Sequence, residues 1–156
     1  PLLGVYQELK YTMLNEDALS RVLPLLLQEI ESVLSKVRQE EIDAFVEAVA
    51  AASRVFVFGA GRVGTASRAL AMRLGQLGKT AHWVPDDTTP GIGPGDLLVA
   101  NSGSGGSPST LNMASQAKKA GARIATITAN PQGEIARMAD AVPMSMIHLE
   151  AVPNPG

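Results

Sequence analysis

The chain contains no cysteine. That excludes disulfides, thiolate zinc sites and cysteine nucleophiles, and it leaves the compartment open. Histidine occurs only at His82 and His148, each inside an apolar, strand-like run and without a partner at metal-ligand spacing, so no metal is expected. Charge of either sign is scarce in excess: a net −2 marks neither a nucleic-acid binder nor an anionic-membrane binder. No run reaches the ~18 uninterrupted apolar residues of a transmembrane helix. The N-terminus lacks a basic region followed by an apolar core, so no signal peptide is expected and the cytoplasm is the default compartment. An initiator methionine is also missing. The sequence opens on Pro1 and closes on Pro153-Asn154-Pro155-Gly156, ends expected of a truncated chain. There is no internal repeat.

What is present is an ordinary globular composition, 46% hydrophobic and 18% charged over 156 residues, enough for one domain with a sizeable core. Residues 3–37 read as helix, with Leu19, Leu23, Leu26, Leu27, Ile30, Val33, Leu34 and Val37 at helical spacing and a kink or break expected at Pro24. Gln39 to Ala52 reads as a second helix, with Glu40, Glu41 and Asp43 near its positive end. From Arg54 the pattern changes. Short apolar runs at 55–58, 80–84, 96–100, 122–128 and 141–147 read as strands. Helical stretches at 63–77, 108–120 and 133–138 lie between them. Buried strands alternating with helices imply a mostly parallel sheet covered on both faces, with ligands at the carboxyl ends of the strands.

Two glycine loops fall at such ends. Asn101–Ser107 reads Asn-Ser-Gly-Ser-Gly-Gly-Ser between an apolar strand and a helix with Pro108 at its start. Composition alone would allow a linker, but linkers rarely join a buried strand to the next helix of one domain. Hydroxyls of Ser102, Ser104 and Ser107, and backbone N–H groups of Gly105 to Ser107, are expected to form a phosphate nest at a helix N-terminus. Gly59-Ala60-Gly61-Arg62-Val63-Gly64 is a G-x-G-x-x-G between strand and helix, so a dinucleotide site stays open, with Asp86 and Asp87 near the place of its acidic residue. A tight strand-to-helix turn, or a sugar-phosphate site shared with the serine loop, explains the same glycines. Asp86-Asp87-Thr88-Thr89-Pro90 is either a solvated turn or a wall of the cleft through Thr88 or Thr89.

Gly59-Ala60-Gly61-Arg62, Ala71-Met72-Arg73-Leu74, Thr88-Thr89-Pro90 with Gly95-Asp96-Leu97-Leu98, Ser102-Gly103-Ser104-Gly105 and Ala117-Lys118-Lys119-Ala120-Gly121-Ala122 resemble the sugar isomerase (SIS) domain, and within it the 6-phospho-3-hexuloisomerase family. The resemblance runs over about residues 54–142. It implies interconversion of a 3-hexulose 6-phosphate and fructose 6-phosphate without cofactor: a proton leaves C2, an enediolate forms, and a proton returns on C3. It further implies that the serine loop holds the phosphate, that Arg62 borders the substrate, and that the protein is a homo-oligomer, a tetramer, with the leucine-rich preface at an interface. Three departures stand out. Val63 replaces the family's serine. Gly106 and Ser107 replace the Glu-Thr that ends the family's loop. The family's glutamate and late histidine follow the fifth strand, and no position of this chain, Glu150 included, matches them.

The expected architecture is α/β: a three-layer sandwich with a mostly parallel five-stranded sheet, SIS-type and flavodoxin-like, with N-terminal helices. One SIS domain is expected over 1–156, with a helical arm at 1–52, an α/β core at 53–149 and the family's C-terminal helices absent. The expected substrate-binding residues are Gly61, Arg62, Ser102, Gly103, Ser104, Gly105, Gly106, Ser107, Thr88 and Thr89. The expected partner is a small-molecule sugar phosphate, with no nucleic acid or membrane. A non-catalytic, sugar-phosphate-binding regulator is the alternative, although the acidic helix at 39–52 is a poor DNA-binding element.

Overall fold

Val55-Phe56-Val57-Phe58 and Leu97-Leu98-Val99-Ala100 are runs apolar at every position, the pattern of strands buried on both faces. In the computed structural model, which describes residues 16–140 and 144–145, they form the centre of a sheet. The strands are β1 (Val55–Gly59), β2 (Ala81–Trp83), β3 (Leu97–Asn101), β4 (Arg123–Thr128) and the two-residue β5 (Met144–Ser145). All pairs are parallel, in the order β2-β1-β3-β4-β5. Four strands carry the sheet, and β5 adds a short pairing at one edge; the rest of the strand expected at 141–147 lies outside the described residues. Side chains alternate between faces along each strand. Val55, Val57, Leu97, Val99 and Ala125 meet α2 (Gln39–Ala51) and α3 (Gly61–Gln76) through Ala48 and Ala71. Phe56, Leu98, Ala100 and Ile124 meet α4 (Pro108–Lys119) and α5 (Glu134–Met138) through Ala114, Ala117 and Ile135. Alanine on the helices lets them approach the sheet closely.

The chain divides into two compact units at Lys36 and Val37. The second helix, read with the arm from sequence, thus belongs to the sheet-bearing unit. The first unit contains α1 (Glu16–Leu34), which continues through Pro24 where a break into two helices was one expectation. A proline removes one backbone donor, which a helix of 19 residues tolerates at a cost of ~3 kcal/mol. Residues 3–15 of the expected helix lie outside the described residues. No helix among the described residues is long and apolar enough to cross a membrane.

The strand order fixes where a ligand fits. β1 connects outward to β2 on one side, and β3 connects to β4 on the other. The two crossovers diverge and leave a crevice at the carboxyl ends of β1 and β3. Gly59 lies opposite Asn101 in this pair, which brings the two glycine loops side by side.

Candidate functional site

A cavity of about 250 Å³ occupies this crevice. Ala60 and Val63 wall it from the α3 side, Asn101 to Ser104 and Ser107 from the serine loop, and Thr110 from the first turn of α4. Two helices begin at its rim. Their N-cap residues, Ala60 and Ser107, make no side-chain capping bond. Uncapped first turns carry unpaired N–H groups and partial positive charge. Among the described residues, no acidic or basic side chain is part of the lining.

The lining is short of hydrogen-bond partners. Asn101 Oδ1, Ser102 Oγ and Thr110 Oγ1 are buried and have no partner among the described residues. Ser102 is 4% exposed and Thr110 0%. A buried polar atom left unpaired costs ~1–3 kcal/mol, so three around one small cavity mark a place built for a polar ligand.

Four successive carbonyl groups of the serine loop, those of residues 102–105, are by contrast engaged. Ser102 O accepts from Gly105 N at 3.1 Å, Gly103 O from Ala129 N at 3.2 Å and Gly105 O from Ile135 N at 3.0 Å. Ser104 O accepts from Asn130 Nδ2 at 3.1 Å. The last three donors come from the β4–α5 connection and α5. The loop's negative ends are thereby neutralised, and hydroxyl and N–H donors remain for the cavity. Such a site suits an anion.

A sequence profile of the SIS domain matches residues 48–153. The chain belongs to the SIS domain family. It is 44% identical over 126 residues to the 3-hexulose-6-phosphate isomerase of Mycobacterium gastri, spanning 81% of this chain and 63% of that protein. It is 33% identical over 117 residues to the enzyme of that name in Bacillus subtilis, spanning 75% of this chain and 63% of that protein. A solved structure from Methanococcus jannaschii, whose description infers a molecular function of 3-hexulose-6-phosphate isomerase, superposes with a TM-score of 0.65 at 33% identity, over 72% of this chain and 64% of that one. The chain thus spans less than two thirds of these relatives.

Within this SIS domain, Ser102, Gly103, Ser104 and Ser107 of the sequence-derived set line the cavity together. Gly61 and Arg62 lie beside it in the first turn of α3, between the lining residues Ala60 and Val63, and the Arg62 side chain is exposed. Gly105 and Gly106 do not line it. The Gly105 N–H, expected in the nest, closes a turn on Ser102 O, and the Gly106 N–H approaches Ser104 Oγ at 3.4 Å. Thr88 and Thr89 also lie outside the lining. Thr88 Oγ1 donates to Asp86 Oδ1 at 2.6 Å, and Thr89 Oγ1 donates to Trp83 O at 2.8 Å, so both hydroxyls are spent within their own loop. The Thr88 hydroxyl, followed by its backbone N–H, holds the Asp86 carboxyl below the usual carboxylate range. That makes Asp86 a weak base and a good turn residue. His82 packs against Phe56 with its ring tilted by 33° and the ring centroids 5.1 Å apart.

The G-x-G-x-x-G serves packing. A Cβ on Gly64 would stand 2.7 Å from Gly59 O, so these two glycines bring α3 against the end of β1. A dinucleotide site also wants a carboxylate at the end of β2. Here β2 ends on Trp83, with the Arg68 guanidinium 5.3 Å above its ring, and the Asp86 carboxylate in the turn that follows accepts from the Thr88 N–H and hydroxyl of its own loop.

Sequence reading missed Thr110, Asn130 and Gly133, and placed Asn101 in the loop rather than at the end of β3. Thr110 had a usable signal: it stands in the first turn of the helix that follows the serines. Asn130 and Gly133 had none, because they reach the loop only through the pairing of β3 with β4.

Proposed function

We propose that this SIS domain holds a sugar phosphate and forms the substrate-binding part of an isomerase that interconverts 3-hexulose 6-phosphate and fructose 6-phosphate. The observation that carries this reading is the cavity: two uncapped helix starts, unpartnered Ser102 and Thr110 hydroxyls and no carboxylate converge where the sheet order diverges. The names of the Mycobacterium gastri and Bacillus subtilis relatives support the substrate. Ser102, Ser104, Ser107 and Thr110 donate to the phosphate, the turn at Gly103, Gly105 and Gly106 shapes their loop, and Gly61 and Arg62 border the entrance. Thr88 and Thr89 receive no role in this assignment.

In the reaction a base takes the C2 proton of the 3-hexulose. The C–H electrons form the C2=C3 double bond, and the C3 carbonyl becomes an enolate oxygen. The enolate oxygen on C3 takes up a proton to become a hydroxyl; the 2-hydroxyl then loses its proton as C2=O forms, and the C2=C3 electrons take a proton at C3. Hydrogen moves within one molecule, so no hydride carrier is required. Among the described residues no titratable side chain lines the cavity, and we assign the base to a residue outside them. The same observation favours a second reading, a sugar-phosphate-binding domain without turnover.

Ser102→Ala with Ser104→Ala is expected to weaken fructose 6-phosphate binding about a hundredfold in titration calorimetry, at ~1.5 kcal/mol per charge-assisted bond, and barely to change that of fructose. Equal losses for both ligands would remove the phosphate assignment. In deuterium oxide the full-length protein should exchange the C3 hydrogen of fructose 6-phosphate, read by NMR. Binding without exchange selects the second reading.

We further propose a cytoplasmic tetramer in which α1 forms a subunit interface. Leu19, Leu25, Leu27 and Leu34 of α1 are each more than half exposed, a large apolar surface for a lone chain. Replacing Leu19, Leu23 and Leu26 with Ser is expected to lower the sedimenting mass; an unchanged mass would exclude α1 from the interface.

A further inference from the structure

We propose that Asn101 reads a hydroxyl group of the ligand: its side-chain Oδ1 accepts a hydrogen bond from a carbon-borne hydroxyl close to the bound anion, and makes the cavity select a polyol phosphate over bare phosphate. This rests on the sugar-phosphate reading above and adds to it the residue that recognises the sugar.

Asn101 closes β3 between the ends of β1 and β4, opposite Gly59 and Ile127, and is 6% exposed. Its Nδ2 donates to Ser67 Oγ at 2.7 Å. Ser67, fully buried in α3, donates its only hydroxyl proton to Val63 O at 2.8 Å. That proton being spent, Ser67 Oγ can face Asn101 only as an acceptor. The relay therefore fixes the amide: its N–H₂ end is tied to α3, and its oxygen has no partner among the described residues.

The open oxygen is the unusual member of the lining. Ser102 and Thr110 carry hydroxyls that can donate to an anion; an amide oxygen cannot. A phosphate dianion offers only acceptor atoms, so it repels Oδ1 rather than satisfying it. A ligand hydroxyl supplies the missing proton. The Ala60 and Val63 wall contributes no polar side-chain atom, which leaves Asn101 as the polar side chain between the anion donors and that wall.

Asn101 also stands at a boundary. A second cavity, of about 290 Å³, shares Val63, Asn101 and Gly103 with the first, and Ala66, Leu70 and Ile127 give it an apolar lining. A ligand whose anion sits among the serines and whose carbon chain leads toward this second space passes Asn101. There a hydroxyl meets Oδ1. Donors at one end and a single locked acceptor beside them also orient the chain.

Titration calorimetry on the full-length protein, with inorganic phosphate and fructose 6-phosphate as probes, tests this. Asn101→Leu keeps the size and removes the acceptor. It is expected to weaken fructose 6-phosphate about tenfold and leave phosphate within about twofold, as one lost hydrogen bond predicts. Ser67→Ala, which touches no ligand, unlocks the amide and is expected to reduce the preference for fructose 6-phosphate several-fold, again with phosphate unchanged. It keeps the test open if Asn101→Leu does not fold. Equal weakening of both probes, or no change in either, would overturn the hydroxyl reading. Wild-type protein that binds both probes with the same affinity would overturn it while leaving the anion site standing. Failure of the wild type to bind phosphate at all would instead remove the sugar-phosphate reading on which it rests.

Discussion

Replacing Gly133 with alanine is expected to weaken phosphate binding several-fold while the sheet and its helices stay folded. A Cβ at 133 would stand 2.8 Å from Gly105 Cα, 2.9 Å from Gly105 O and 3.0 Å from Asn130 O. All three are backbone atoms, so no rotamer change relieves the clash, and the serine loop must move. The Gly133 φ of −66° is open to any residue, which makes the effect purely steric. Forced overpacking of this kind costs ~1–3 kcal/mol. Part of that cost falls on ligand binding, because the loop that shifts is the one whose hydroxyls line the cavity. Gly105→Ala should be worse. Its φ is +72°, and its Cβ would lie 3.0 Å from Gly133 Cα, so left-handed strain of ~1–2 kcal/mol adds to the clash. Gly106→Ala is the control: a Cβ there meets nothing within 4 Å. Phosphate titration and thermal unfolding of the three variants decide the matter. If Gly133→Ala binds like wild type, or Gly106→Ala binds as poorly as Gly105→Ala, the glycine contact does not set the loop's position.

Arg54→Met is expected to lower the melting temperature by several degrees at neutral pH, because it strips the buried Asp96 of its charged partner, and to leave ligand binding intact. Asp96, 2% exposed, accepts from Arg54 Nε at 3.0 Å, from Arg54 Nη2 at 2.6 Å and from Gly93 N at 2.8 Å. The Arg54 guanidinium also lies 5.2 Å over Phe56. Without the arginine, a buried carboxylate keeps one backbone donor. The pair sits where β1 and β3 begin, at the opposite edge from the cavity. Hydrogen bonding to Arg54 is the main cause that holds the Asp96 carboxyl below its ordinary value. A lowered folded-state pKa gives stability that is complete above the unfolded value of ~3.9 and is lost as pH falls through the folded value. The melting difference between wild type and Arg54→Met should therefore hold from pH 7 down to about 4 and shrink as pH falls further. A difference independent of pH would mean that the loss comes from packing on Phe56 and not from charge.

The serine loop was legible because its signal is local. An apolar run, a stretch of small hydroxyl and glycine residues, and a proline at the start of a helix can form only a few connections, all with donors at a helix start. The strands at 55–59 and 97–101 were legible for the same reason, since burial on both faces needs apolar side chains at successive positions. The threonines at 88 and 89 show where local reading stops. A loop of Asp, Thr, Pro and Gly at a strand end satisfies a site or satisfies itself, and Asp86 and Trp83 O decide for the second by absorbing both hydroxyls.

The chain's own pattern of apolar runs, helix starts and glycines thus determined an α/β domain with donors waiting at a strand end. Only the tertiary structure decided what those donors share. Gly59 and Asn101 stand 42 positions apart and meet because β3, not β2, lies on that side of β1. Gly105 meets Gly133 because β4 flanks β3. Strand order is a property of the packed sheet as a whole: each run would pair as well, by its own propensity, with several others. The unpartnered oxygen of Asn101, the buried Thr110 hydroxyl and the loop's spent carbonyls follow from that order.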